Sequence, residues 1–138
     1  MNASVQSIIR AFLIGQTVLT DVVDERIMSP RLQEDTDLPA IGFFVRGGIN
    51  NPHIEEMVNP SVQFDCWADS AIGADEVYRA LFDVLQGVQN QVVTVDGSDY
   101  ALKTAVQEVQ GQDLPDVEIP NYYRVLTFFS IMIAPVPI

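Results

Sequence analysis

The run Tyr122-Tyr123-Arg124-Val125-Leu126-Thr127-Phe128-Phe129-Ser130-Ile131-Met132-Ile133 constrains the fold of this chain more than any other segment. Read as a strand, it sends Tyr123, Val125, Phe129, Ile131 and Ile133 to one side and Tyr122, Leu126, Phe128 and Met132 to the other. A half-buried antiparallel strand shows one polar set, so a strand that is largely apolar on both sets needs cover on both faces. Helices can supply one layer, and a second subunit can supply the other. With 138 residues the chain has the length of one domain, so a single unit spanning residues 1–138 is expected.

The rest of the sequence supplies the helices. Val5, Ile8, Ile9, Phe12 and Leu13 recur at helical spacing behind Ser4, a capping residue, which predicts a helix over about residues 4–16. Val77, Ala80, Leu81, Val84, Leu85 and Val88 mark a second helix after Asp69-Ser70, with Asp75, Glu76, Arg79 and Asp83 on its other side. Between them, Val18 to Met28 reads as a short extended piece ending at Ser29-Pro30, and Arg31 to Pro39 as an acidic loop. Ile41, Phe43 and Val45 alternate with Gly42, Phe44 and Arg46 in a strand, and Ser61 to Trp67 alternates likewise. Gly47 to Pro60 reads as a long exposed loop or an extended hairpin tip. Asp96-Gly97 is a hairpin turn between Val92–Val95 and a strand from Tyr100 to about Val109, and Gln112 to Pro120 reads as a second acidic loop. The order predicts an α+β domain, a mainly antiparallel sheet packed against two helices, the N-terminal and the central one.

Chemistry is harder to find. Nineteen acidic residues against seven basic ones give a formal net charge of −12, which speaks against a broad phosphate-binding surface. His53 is the sole histidine and lies in the Gly47–Pro60 segment, where an exposed imidazole is the simpler reading than a catalytic one. Cys66 is the sole cysteine, so no internal disulfide can form, and a small buried hydrophobe in a reducing compartment is expected. Asp65 and Asp69, Glu55 and Glu56, or Asp35 and Asp37 are pairs without metal-ligand spacing. Phosphate-cradling, dinucleotide, zinc-protease and paired-cysteine motifs are absent from the sequence. Polar residues interrupt every apolar run, so a soluble, cytosolic chain without a membrane span is expected. Trp67 lies opposite the Val62, Phe64, Cys66 face and suits an interface anchor and a core position equally.

Five pieces form an ordered pattern: the helix from Ser4 to Gln16; Asp24-Glu25-Arg26-Ile27 running to Pro30; Leu38-Pro39-Ala40-Ile41 leading into a strand; Val62-Gln63-Phe64-Asp65-Cys66-Trp67-Ala68 leading straight into a helix; and the terminal Tyr123-Arg124-Val125-Leu126-Thr127-Phe128 strand. In that order they resemble the tail terminator, or tail-completion, family of long-tailed bacteriophages. Members of that family often carry Pro-Tyr where this chain has Pro39-Ala40. The resemblance implies a ring, usually a hexamer, that caps the completed tail tube and joins it to the head connector. Its partners would be other copies of itself, the tail tube protein, a head–tail connector protein, and DNA crossing the lumen without tight binding. It implies no enzyme activity, cofactor, metal or membrane, and a place in the virion tail or neck after assembly in the host cytoplasm. Trp67, Tyr122, Leu126, Phe128 and Phe129 are candidate subunit contacts, and Asn50, Asn51, His53, Glu55, Glu56, Asp113 and Asp116 are candidate partner contacts. A neck adaptor or head-closure protein is the nearest alternative. A small hydrolase or ligand-binding domain built on the carboxylates around Asp65 and Asp69 is the alternative of another class.

Overall fold

Ser4 starts the first helix, α1 (Val5–Ile14), by accepting a hydrogen bond from the Ser7 amide at 3.1 Å, and Ile8, Ile9, Phe12 and Leu13 are buried along one side. The chain is seen here as a computed structural model that describes residues 4–30, 37–50, 58–115 and 122–136. A helix, α2 (Thr17–Val23), follows α1 directly, where the sequence suggested an extended piece. Thr17, Val18, Thr20, Val22 and Val23 are β-branched and favour strands locally. Burial of Leu19 and Val23, four residues apart on one side, overrides that preference. The third helix, α3 (Ala71–Leu85), is capped by Ser70, whose side chain accepts from the Gly73 amide at 3.0 Å. Among the described residues the helix layer therefore has three members where two were expected.

The strands are β1 (Ile27–Met28), β2 (Ala40–Asn50), β3 (Val58–Ala68), β4 (Gln89–Val95), β5 (Ser98–Pro115) and β6 (Tyr123–Pro135), in the sheet order β1-β2-β3-β6-β5-β4. Only β1 runs parallel to its neighbour; the other pairs are antiparallel, and the class is α+β. Of the Gly47–Pro60 segment, expected as an exposed loop or a hairpin tip, Gly48, Ile49 and Asn50 pair with Pro60, Asn59 and Val58 as antiparallel strands, and residues 51–57 lie outside the described residues. Gln112 to Pro115, expected in a loop, instead prolong β5 and pair with Leu126 to Tyr123. Proline is tolerated at a strand end because no further ladder donor is required there. Asp96 and Gly97, with φ of 52° and 80°, form the two-residue turn between β4 and β5 that needs positive φ at both positions.

The helices pack on one face of the sheet, and α1 touches β4 as well as β1 and β2, which lie at opposite sides of the sheet. The sheet therefore curls around the helix layer. Strand β5 follows the curl by shifting register between Leu102 and Thr104, between Gln107 and Val109, and between Val109 and Gln112, since each extra residue bends a strand. On the inner face, Phe43, Phe64 and Phe129 cross β2, β3 and β6 with ring centroids 5.7 and 5.9 Å apart. All three are fully buried, as are Ile131 and Ile133. Cys66 lies among them as a small buried hydrophobe.

Candidate functional site

Among the described residues, the face of the sheet turned away from the helices holds a surface whose composition suits a partner. Alternation along β6 places Arg124, Leu126, Phe128, Ser130 and Met132 there, all half-buried, while Val125, Thr127, Phe129, Ile131 and Ile133 point inward and are buried. Register adds neighbours from other strands: Trp67 stands opposite Arg124, Asp65 opposite Leu126, and Gln63 opposite Phe128. Val106 and Val109 of β5, opposite Ser130 and Phe128, are 53% and 38% exposed. Nothing among the described residues covers this row from outside.

Arginines organise the aromatic groups. The Arg46 guanidinium lies 4.4 Å from the centroid of Phe128, and that of Arg124 lies 5.1 Å from Trp67. Trp67 meets Tyr122 edge to face at 6.2 Å. Asp65 sits beneath Arg124, with Nη1 3.8 Å from its carboxylate, and accepts a hydrogen bond from Gln63 at 3.3 Å. Burial raises the Asp65 pKa, outweighing the opposing pull of Arg124 and of the Gln63 hydrogen bond. Burial also pushes the Cys66 thiol up, with the Asp65 charge adding to it, which makes this cysteine a poor nucleophile. Glu108, at a register shift of β5, accepts from the Ser61 hydroxyl at 2.7 Å.

A polar network fixes β5 and β6 from the inner side. The fully buried Thr127 hydroxyl donates to the Val109 carbonyl at 2.7 Å and accepts from Gln107 Nε2 at 3.0 Å. Gln107 Nε2 also reaches the Tyr78 hydroxyl at 2.7 Å, which in turn accepts from the Gly111 amide at 3.2 Å. A Cβ on Gly111 would lie 2.8 Å from the Tyr78 ring and 2.9 Å from Val125, so only glycine lets β5 approach α3 here. These bonds satisfy the backbone groups that the register shifts remove from the ladder.

The candidate subunit contacts thus separate. Trp67, Tyr122, Leu126 and Phe128 share the outer face, whereas Phe129 is enclosed by its own subunit at 0% exposure and offers no surface to another. Arg46 and Arg124 complete the outer surface; sequence reasoning passed over them, although strand alternation already placed each beside the aromatic set. Asn50 ends β2 and Asp113 lies within β5, while Asn51, His53, Glu55, Glu56 and Asp116 fall outside the described residues. Asp69 is exposed beyond the end of β3, and the described residues hold no group of three or more His, Cys, Asp or Glu able to share a metal ion. No described helix is long and apolar enough to cross a membrane.

A chain from the virion of a native gene transfer agent (GTA) particle shares this fold. The two superpose with a TM-score of 0.60 over 94% of each chain, at 12% sequence identity. At that identity the likeness is one of fold. No known protein family matches the sequence, and comparison with the curated proteins finds no match. The shared fold spans almost the whole of both chains, so the curled sheet and its helix layer are compared as one body rather than through a common fragment. What the outer face does is argued from its own residues.

Proposed function

We propose that this chain is a structural, non-enzymatic component of a phage-like particle, forming a ring that caps the tail tube and joins it to the head connector. The observation that carries the proposal is the fold shared over 94% of both chains with a chain of a GTA virion. The sequence pattern from Ser4 to Phe128 supports the terminator role within that setting. The outer sheet face supports the ring: Trp67, Tyr122, Leu126 and Phe128 are half-buried in the single subunit, and a neighbouring copy would complete their burial. Asn50, Asn51, His53, Glu55 and Glu56 in one connection, and Asp113 and Asp116 in the other, are the proposed contacts with adjoining rings. The charge of −12 supports passage of DNA through the lumen without retention, because like charge keeps the duplex off the wall.

Electron microscopy of particles assembled without this chain tests the proposal. Overlong or unattached tails are expected of a missing terminator. DNA-filled heads that leak would reassign the chain to head closure or the neck adaptor, and particles of normal form and infectivity would remove it from the virion pathway.

A further inference from the structure

The exposed apolar side chains fall into two main places. Large hydrophobic residues exposed among the described ones are Val18, Ile72, Val92, Val106 and Val109. Register puts Val92, Val106 and Val109 on the outer face of the sheet, with Phe128 and Leu126. Ile72, 76% exposed, lies at the start of α3, on the opposite side of the domain. Ile72, Glu76, Arg79 and Asp83 are spaced by four, three and four residues, so they form one exposed stripe along α3. Asp75 lies 2.9 Å from Arg79 and balances it, leaving Glu76 and Asp83 as the stripe's net charge.

The sheet face carries the complementary sign at a matching interval. Arg46 sits over Phe128, and Arg124 sits over Trp67. The Asp65 carboxylate, 3.8 Å from Arg124, is too distant for a hydrogen bond and only 14% exposed, so the arginine retains donors for an outside acid. Phe128 and Arg124 are four residues apart on a strand, about 13 Å. Glu76 and Asp83 are seven residues apart on a helix, about 10 Å, and the length of an arginine side chain covers the difference.

We infer that the outer sheet face of one copy docks on the α3 stripe of the next, with Arg46 and Arg124 meeting Glu76 and Asp83, and Ile72 seated on the apolar surface around Phe128 and Leu126. This rests on the ring reading above and names the other half of the subunit contact. The two surfaces differ and lie on opposite sides of the domain, so the contact is head to tail, the kind that closes a ring when its rotation divides a full turn and otherwise runs on as a filament. It also sets out how chains of charge −12 approach one another: each acidic helix meets the face where the arginines lie.

Sedimentation equilibrium of the full chain tests the contact by charge reversal. Arg46→Glu alone, and Glu76→Arg with Asp83→Arg on the helix, should each weaken self-association about tenfold or more while leaving the circular dichroism unchanged. Combining the three reversals should raise association above that of the helix double variant, to about the level of Arg46→Glu alone, since one pair attracts again with its sign exchanged while Arg124 still faces a reversed charge. Should a reversal disturb folding, Arg46→Gln and Glu76→Gln with Asp83→Asn read the same contact through smaller losses. The inference is overturned if the native chain stays monomeric, if the reversals leave association unchanged, or if the combination is no better than the weaker parent. Rescue by the combination alongside normal particles lacking the chain would uphold the contact and discard the virion role. Overlong tails alongside silent reversals would do the opposite.

Discussion

Asp65 shows how a single side chain can be held against its own preference. Its carboxylate is pulled toward ionisation by Arg124 and Gln63, yet burial dominates and its pKa in the fold lies above the ordinary value of about 3.9. The folded state therefore binds this proton more tightly than the unfolded chain. The contribution to stability is complete below the unfolded value and is lost as pH rises through the folded one. Asp65→Asn, which cannot ionise, should be more stable than the native chain near neutral pH, with the gap narrowing as the pH falls toward the carboxylate range. Urea midpoints of the two proteins at several pH values measure this directly, and a less stable Asn variant at neutral pH would show that Arg124 and Gln63 outweigh burial.

At the scale of elements, β6 keeps its two faces apart by alternation alone. Phe128 and Phe129 are adjacent in sequence, but Phe129 is fully buried beside Phe64 while Phe128 is half-buried under Arg46. Phe129→Asp places an unpaired charge in the core at a cost of several kcal/mol and should abolish the cooperative unfolding transition. Phe128→Asp should leave a folded subunit, by circular dichroism, that light scattering shows to be smaller than the native assembly. If both variants unfold, the outer face belongs to the subunit core; if both stay folded and assembled, this account of β6 fails. The alternation of β6 and the Asp96-Gly97 turn were legible in the sequence because each depends on local geometry of period two or on a positive φ, whereas the stacking of Phe43, Phe64 and Phe129 across three strands depends on register. Helix α2 was not, because its β-branched residues point locally to a strand and only the burial of Leu19 and Val23 decides otherwise. The extension of β5 to Pro115 was hidden by acidic and proline residues, and it rests on pairing with β6, a partner distant in sequence. Of the outer face, the aromatic members could be read ahead, whereas the positions of Arg46 over Phe128 and Arg124 over Trp67 emerge only once the strands are in register.

For the molecule as a whole, charge is the leading constraint. A net −12 over 138 residues opposes any polyanion, and three of the seven basic residues are committed locally, with Arg10 donating to the Ile27 carbonyl, Arg26 to the Pro39 carbonyl, and Arg79 paired with Asp75. Duplex DNA should therefore show no mobility shift with this protein even at about 50 mM salt, where phosphate contacts are strongest. Retention that weakens steeply with added salt would reveal a basic surface and contradict a lumen that lets DNA slip past.

The long strands also set two directions. Asn50 and Val58 end the β2–β3 hairpin beside Ile133, whereas Pro115 and Tyr123 mark the β5–β6 connection at the other end of β6. Ten residues of strand between Tyr123 and Ile133 span about 33 Å. The described strand ends, Asn50 with Val58 and Pro115 with Tyr123, are thus held apart by a rigid ladder, so the partner contacts proposed for the two connections would be approached from opposite sides. A body built this way could pass load between neighbours bound at its two ends without their touching, and shortening β5 and β6 together by two residues would draw those ends closer by about 7 Å while leaving every side chain on its own face.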